Sequence, residues 1–234
     1  MTIAPQLASI RDRISAAARR AGRNPADIAL MAVCKTFPAK AIIEAYAAGH
    51  RLFGENRVQE FTEKYPAVAN LPDARFHMIG HLQSNKAAKA AEIFHAVDSV
   101  DSVKLAQRLN DAAQTLNHTL EVLIEVNVGG EEAKSGLSPE SPDIAAILTQ
   151  ASQWKHLNIR GLMTVPPFTE DPEGARPYFR KLRELRGRLA AQNYANVSLD
   201  ILSMGMSHDF EIAIEEGSTC VRIGTGIFGV RHKP

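Results

Sequence analysis

The apolar residues of this chain fall into short runs, and each run is followed by a stretch in which they recur with helical spacing. This alternation repeats about eight times and is typical of the strand–helix units that build a parallel sheet. We predict eight strands, at residues 28–35, 51–54, 75–80, 93–98, 120–127, 158–164, 197–204 and 219–224.

Residues that begin or end helices lie between these strands. Pro38 and Gly49 mark the two ends of one helix, Asn85 is a candidate N-cap of another, and Gly217 ends a helical stretch over 208–216. Residues 1–23 carry arginines between apolar residues at helical spacing, which predicts an additional helix before the first strand.

An Arg-rich amphipathic start is also compatible with an organelle transit peptide. Asp12 and the direct continuation into the first strand favour a folded helix.

Eight strands with intervening helices predict an α/β fold, a single (β/α)8 barrel of the TIM type over residues 1–234. An open doubly wound sheet would carry a glycine fingerprint after its first strand. Residues 34–38 contain no glycine, so we favour the barrel.

Composition narrows the function classes. Apolar residues make up 45% of the chain and its formal net charge is +1, which is ordinary for a globular protein and gives no long-range field to attract nucleic acid. The basic cluster at residues 176–188 has leucines at helical spacing, so we interpret it as a solvated helix face. No apolar run reaches the roughly 20 residues of a membrane span, and only two cysteines are present, so we expect a cytoplasmic protein with reduced thiols.

Lys35 is the first candidate for chemistry. It ends an apolar strand, and the active face of such barrels lies at the C-terminal ends of the strands. Period-two alternation places it on the face of Met31 and Val33, and partial desolvation there would free the neutral amine that Schiff-base chemistry requires. The alternative is a lysine that marks a strand end and reaches solvent.

Two glycine- and hydroxyl-rich runs lie where the seventh and eighth predicted strands end, at residues 202–209 and 222–229. Glycines let backbone N–H groups approach an anion, and this corner is the usual phosphate site of the barrel class. Arg222 alternates with Cys220, so both are expected to face the barrel interior. There Arg222 could face a pyridine nitrogen, or it could form a salt bridge to Glu55 or Asp200.

Three further polar residues follow strands: Asn56, His81 and Gln83 could line a pocket or cap the next helices. His77 and His81 have the spacing of a metal site on a helix. The strand pattern and Gly80 argue against a helix at these positions, so we reject a metal site. Cys34 is expected to point away from the Lys35 face.

The chain resembles the pyridoxal phosphate homeostasis protein family along its whole length. The segments that carry the resemblance are residues 32–36, 53–60, 77–86, 134–136, 161–164, 202–207 and 221–229. The resemblance implies a barrel like the N-terminal domain of alanine racemase that binds pyridoxal 5'-phosphate (PLP). It implies an aldimine on Lys35 and the following further neighbours of the cofactor: Ser203, Gly224 and Thr225 at the phosphate, Arg222 at the ring nitrogen, and Asn56 and Met204 beside the ring.

By this resemblance the chain is a non-catalytic PLP carrier in vitamin B6 homeostasis, expected to be a monomer, with PLP-dependent apoenzymes as candidate recipients. His81 and Cys34 stand where the family is expected to vary, and Lys134 lies in a loop that could gate the pocket. An amino-acid racemase is the alternative function, but it needs a second acid/base group opposite the lysine. The four tyrosines fall in or near helical stretches. A cofactor-free Schiff-base aldolase is a further alternative, and such a protein would be colourless.

Overall fold

Eight parallel strands close into one barrel in the order in which they occur along the chain, with the first strand paired to the last. The computed structural model describes residues 2–131 and 134–229. The strands are β1 Ala29–Val33, β2 Leu52–Glu55, β3 Arg75–Met78, β4 Ala96–Val100, β5 Leu120–Glu125, β6 Leu157–Met163, β7 Val197–Ser203 and β8 Cys220–Ile223. The predicted (β/α)8 fold class is therefore confirmed.

Helices surround the barrel and bury their apolar faces against it. They are α1 Ile3–Arg20, α2 Ala39–Ala47, α3 Val58–Val68, α4 Ala87–Ile93, α5 Val103–Thr115, α6 Pro142–Gln150, α7 Arg176–Ala190, α8 Phe210–Glu215 and α9 Thr225–Phe228. The additional first helix is present as α1. The cluster at residues 176–188 lies in α7, which buries its leucines and leaves its arginines to bind acidic neighbours. None of the helices in the described ranges is long and apolar enough to cross a membrane.

Several predicted boundaries are wrong: β1, β3 and β5 each end two residues earlier than predicted, and three further places differ. The fourth strand begins at Ala96, because Ile93 still belongs to α4 and the chain turns before it enters the sheet. Asn85 is not an N-cap: it lies inside a short 3-10 turn, Ser84–Lys86, that leads into α4. Helix α8 begins at Phe210 and not at residue 208, because the backbone N–H groups of Asp209 and Phe210 first close a turn on the Met206 carbonyl.

Alternation along the strands separates the two faces of the barrel wall. Ala32 and Cys34 are fully buried in the layer between strands and helices. Met31 and Cys220 instead line a cavity of about 90 Å³ inside the barrel, together with His77 and Asp98. The interior direction predicted for Cys220 is thus confirmed. The side chains that could reach a ligand are those that project inside the barrel or follow the strand ends.

A buried histidine gives the fold a measurable dependence on pH. His50 is 4% exposed and its Nε2 lies 2.7 Å from the carbonyl oxygen of Leu52. Burial disfavours the imidazolium and lowers the pKa of His50 from 6.5 to about 4. As pH falls below 6.5, His50 becomes protonated in the unfolded chain before it does so in the folded one. The free energy of unfolding should therefore fall by about 3 kcal/mol between pH 6.5 and 4.

His50→Gln retains an N–H donor for Leu52 and does not titrate, so this part of the pH dependence should disappear. Urea denaturation at a series of pH values measures it. Equal slopes for the wild type and the variant between pH 6.5 and 4 would contradict the assignment.

Candidate functional site

The residues predicted to bind a ligand meet at one edge of the barrel. All eight strands are parallel, so their C-terminal ends lie at the same rim. Strand β1 pairs with β2 on one side and with β8 on the other. Lys35, which follows β1, therefore lies between Asn56, which follows β2, and the turn formed by Gly224 and Thr225 after β8.

Lys35 lies in the turn after β1, whereas the sequence predicted it as the last residue of that strand. The strand ends at Val33, and the carbonyl of Cys34 accepts a hydrogen bond from the Phe37 N–H at 3.1 Å. The Phe37 ring packs on Phe228 of α9, with 5.1 Å between ring centroids. Lys35 is partly buried. The turn that carries the lysine is thus packed against the segment that follows β8.

Arg222 lies inside the barrel near its rim and is 4% exposed. Its guanidinium donates hydrogen bonds at 2.7 Å to Ser203 Oγ and at 2.7 Å to the carbonyl of Thr164. Burial lowers the pKa of Arg222, while the carboxylates of Asp98 and Glu125 oppose that change. The alternative salt bridge to Glu55 or Asp200 is absent: Glu55 binds Lys64, and Asp200 lies beside Arg160.

The turns after β7 and β8 contain glycines at which a side chain would be strained or crowded. Gly205 has φ +94°, and a Cβ there would come within 2.5 Å of the Ala213 methyl. A Cβ on Gly224 would meet the Val33 carbonyl at 3.3 Å, directly before the lysine turn. Thr225 is exposed at the start of α9. Together these residues leave bare backbone at the rim next to Lys35.

The serine that ends β7 and the serine in the turn after it have different roles. Ser203 is fully buried and its hydroxyl accepts from Arg222, so it holds the arginine. Ser207 is partly buried, and its Oγ accepts from the Gly226 N–H at 3.4 Å. Ser207 therefore joins the two turns, a role that sequence reasoning missed although residue 207 lies in the motif it singled out. Met204 is fully buried in the layer between strands and helices.

Glu125 is the second residue that sequence reasoning missed. It ends β5, is 5% exposed, and its Oε1 accepts from Ser135 Oγ at 3.0 Å, while Oε2 has no hydrogen-bond partner in the described structure. Burial raises the pKa of Glu125, and Arg222 partly opposes this. Its position on the face of Leu123, which lines the interior cavity, is the alternation signal that could have revealed it.

The remaining polar candidates differ in what surrounds them. Asn56 is partly buried and packs on Gly80, where a Cβ would meet the Asn56 carbonyl at 2.3 Å. His81 is exposed, and its Nδ1 lies 3.1 Å from Asp101 Oδ2. Gln83 is exposed before the 3-10 turn. Of the three, Asn56 is the one held closest to the rim beside Lys35.

Lys134 joins two loops at the rim. Its Nζ lies 3.1 Å from the Pro166 carbonyl and 2.5 Å from Glu131 Oε2, so it connects the loop after β5 to the loop after β6. Glu132 and Ala133 lie outside the described residues. The gating role suggested for Lys134 stays a prediction.

Both cysteines are buried, and burial raises the pKa of each thiol, that of Cys220 to about 12. Cys34 Sγ lies 3.2 Å from Glu55 Oε1 in the layer outside the barrel wall, as its predicted direction required. A thiol with a raised pKa carries little thiolate, so neither cysteine is suited to act as a nucleophile.

Comparisons with known proteins agree with this geometry. The family model of the alanine racemase N-terminal domain matches residues 6–232. A "Pyridoxal phosphate homeostasis protein" of Aquifex aeolicus is 46% identical over 231 residues, covering 99% of each chain. The structure of PipY from Synechococcus elongatus PCC7942 with PLP bound matches with a TM-score of 0.85 and 40% identity, covering 97% of this chain and 100% of that chain.

The fold and the rim place the chain in the class of alanine racemase N-terminal-domain barrels. An alanine racemase of Clostridium difficile 630 has a TM-score of 0.69 at 17% identity and is covered over 57% of its length, a likeness that shows the fold alone. Within that class, this chain belongs to the pyridoxal phosphate homeostasis protein family.

Proposed function

We propose that this chain binds PLP at the rim of the barrel, holds it covalently through Lys35, and serves vitamin B6 homeostasis as a non-catalytic carrier. One observation carries the proposal: the lysine turn, the buried Arg222 and the two glycine turns converge at the same rim. The relatives named for PLP homeostasis and the PLP-bound PipY structure support the choice of cofactor.

When bound, PLP supplies an aldehyde whose carbon forms a C=N bond with a neutral lysine amine while its oxygen leaves as water, together with a phosphate group and a pyridine nitrogen. The rim offers a counterpart to each of these three groups. Lys35 is the amine, the turns after β7 and β8 are the anion site, and Arg222 is the partner of the ring nitrogen.

Two other lysines near the rim are less suited to the covalent link. Lys64 Nζ donates to three acceptors, the Cys34 carbonyl, Glu55 and Glu60, which occupies all three of its donors. Burial opposes its charge, but the two carboxylates outweigh this and raise the pKa of Lys64, so it stays an ammonium. Lys134 is tied to Pro166 and Glu131. We assign the link to Lys35 because of its position in the turn after β1, between the ends of β2 and β8.

The phosphate site follows from the backbone of the two turns. The Gly224 and Thr225 backbone begins α9 beside the lysine turn, and N–H groups at such a turn attract an anion. Ser207 adds a hydroxyl beside Gly226. Ser203, which the resemblance placed at the phosphate, would act instead through Arg222, whose orientation its hydroxyl fixes.

Arg222 would leave the ring nitrogen unprotonated. A guanidinium carries five N–H donors and no acceptor, so it can donate to a pyridine nitrogen but cannot share a proton with it. Two of its hydrogen bonds already go to Ser203 and Thr164, which fixes the plane of the group. Asn56 completes the proposed neighbours of the ring, whereas Met204, whose side chain is buried between strands and helices, would contribute only its backbone.

The carrier role rests on what surrounds the rim. A racemase needs a second acid/base group facing the lysine, and in alanine racemase that group is a tyrosine. Here Tyr46 and Tyr194 use their hydroxyls on the Pro72 carbonyl and on Gln192, and Tyr65 and Tyr178 lie in the outer helices α3 and α7. None of these four tyrosines stands at a strand end.

Exchange in heavy water tests the carrier role. The PLP-loaded protein is expected to leave the α-hydrogen of L-alanine in place over many hours and to form neither D-alanine nor pyruvate, because no tyrosine faces Lys35. Proton NMR and chiral chromatography measure this. Slow exchange on one face remains compatible with a carrier, since Lys35 alone could move that proton. Multiple turnovers to D-alanine, lost in Lys35→Ala, would make the protein a racemase.

A cytoplasmic location, a monomeric state, one domain over residues 1–234 and transfer of PLP to apoenzymes complete the proposal. Two buried thiols are consistent with a reducing compartment. Gel filtration with light scattering measures the oligomeric state.

A further inference from the structure

A cluster of ionised side chains lies directly behind the lysine turn. It consists of Glu55 at the end of β2 and of Glu60 and Lys64 from the first two turns of α3. The side chain of Glu55 is fully buried, that of Lys64 is 10% exposed and that of Glu60 is 26% exposed. Removing three charges from water costs free energy, and ion pairs and hydrogen bonds must offset that cost.

The cluster contacts the backbone on both sides of Lys35. Lys64 Nζ donates at 3.1 Å to the carbonyl of Cys34, the residue before it. Glu60 Oε1 accepts the backbone N–H of Thr36, the residue after it, at 2.5 Å. Lys64 also binds Glu60 at 2.6 Å and Glu55 at 2.9 Å, so the two backbone contacts are coupled through one ion pair.

The backbone that the cluster holds is strained. Thr36 has φ +68°, in the left-handed region that a β-branched residue rarely enters. Such a conformation persists only when its surroundings determine it, and it is typical of functional sites. Here the Thr36 N–H bond to Glu60 fixes the residue that sets the direction of the chain immediately after Lys35.

We propose that Lys64 and Glu60 are positioning residues that hold the strained turn so that the amine of Lys35 meets the cofactor. This inference rests on the proposed function, because it assigns the covalent link to Lys35. The two residues act through the backbone and do not touch the cofactor. Covalent capture should therefore depend on them, while binding of the phosphate should not.

The test uses the full chain and four variants. Glu60→Ala removes the acceptor of Thr36, and Glu60→Gln restores a neutral one. The double variant Glu55→Gln, Lys64→Met removes the side-chain donor to the Cys34 carbonyl, which keeps the Phe37 N–H, and it leaves no fully buried carboxylate unpaired. Lys89→Met is the matched control, because this lysine on α4 pairs with Glu92 and its side chain is 39% exposed. Thermal melting checks that each variant is folded.

Three readouts separate positioning from mere folding. Loss of one charge-assisted hydrogen bond should slow covalent capture of PLP roughly ten- to hundredfold in Glu60→Ala and in the double variant. Glu60→Gln should recover part of this. Pyridoxine 5'-phosphate, which has no aldehyde, should bind every variant as it binds the wild type. Amide hydrogen exchange at Thr36 should be faster in Glu60→Ala without any cofactor.

Capture at the wild-type rate in both Glu60→Ala and the double variant would overturn the inference. Equal losses for PLP and pyridoxine 5'-phosphate would also overturn it, since the cluster would then support the whole site. A wild-type adduct on a lysine other than Lys35 would instead refute the proposed function, and the inference with it.

Discussion

Replacing Lys35 by Ala is expected to abolish the covalent link to PLP completely. Borohydride reduction of the PLP-loaded wild type should leave an adduct on Lys35 that peptide mass spectrometry maps, and the variant should give none. Lys35 lies in a partly exposed turn, so the free energy of unfolding should change by no more than about 1 kcal/mol. Weaker, non-covalent binding should remain, because the phosphate turns and Arg222 are unchanged.

Lys40→Ala is the matched control, since Lys40 is an exposed lysine only five positions along, in the first turn of α2. It should retain the full adduct and the absorption band of the loaded protein. An adduct on Lys64 or Lys134 in the wild type, with none on Lys35, would refute the assignment.

Arg222→Met should produce the largest loss of stability among the rim variants. It removes two charge-assisted hydrogen bonds and leaves the buried oxygens of Ser203 and Thr164 without their donor. Since each such bond contributes on the order of 1.5–3 kcal/mol, we expect a loss of about 3 kcal/mol or more. Urea denaturation measures it. Arg180→Met is the control: this arginine is 52% exposed and shares Glu216 with other arginines, so its loss should be small.

The loss in Arg222→Met should also depend on pH. Arg222 opposes the rise in the pKa of buried Glu125, so its removal raises that pKa further. A raised pKa of Glu125 in the folded state does not change the free energy of unfolding while the carboxyl is protonated in both states. As pH rises above the ordinary pKa of a glutamate, it lowers that free energy increasingly. The destabilisation should therefore be larger at neutral pH than at pH about 4. A loss equal to that of Arg180→Met at both pH values would contradict the role given to Arg222.

Most of the barrel could be predicted from local pattern. Strand β1 is an apolar run, and α7 has leucines at helical spacing. The spacing of apolar residues within each segment therefore predicts whether it is a strand or a helix. The boundaries that were wrong lie where two patterns overlap. Ile93 is apolar whether it ends α4 or begins a strand, and only the packed structure separates the two.

The candidate site was predicted where a strand end and a turn coincide in the sequence, as at Lys35 and Gly224. Contacts within the site were missed where the two hydrogen-bonded residues are far apart in the sequence. Arg222 donates to a carbonyl 58 residues away, and Lys64 to one 30 residues away. No local period encodes such a pair, because both members are ordinary polar residues in their own segments.

The sequence by itself determined the closed parallel barrel, the rim position of the lysine and the glycine turns, because hydrophobic period and turn chemistry are properties of neighbouring residues. Only the tertiary structure decided that Ser203 holds Arg222 while Ser207 joins the turns. It also decided that Glu125 is buried beneath the rim, and that the ion pair of Glu60 and Lys64 on α3 hydrogen-bonds to the backbone on both sides of Lys35. Those facts depend on which side chains the closed sheet brings within hydrogen-bond distance, and closure is a property of the whole chain.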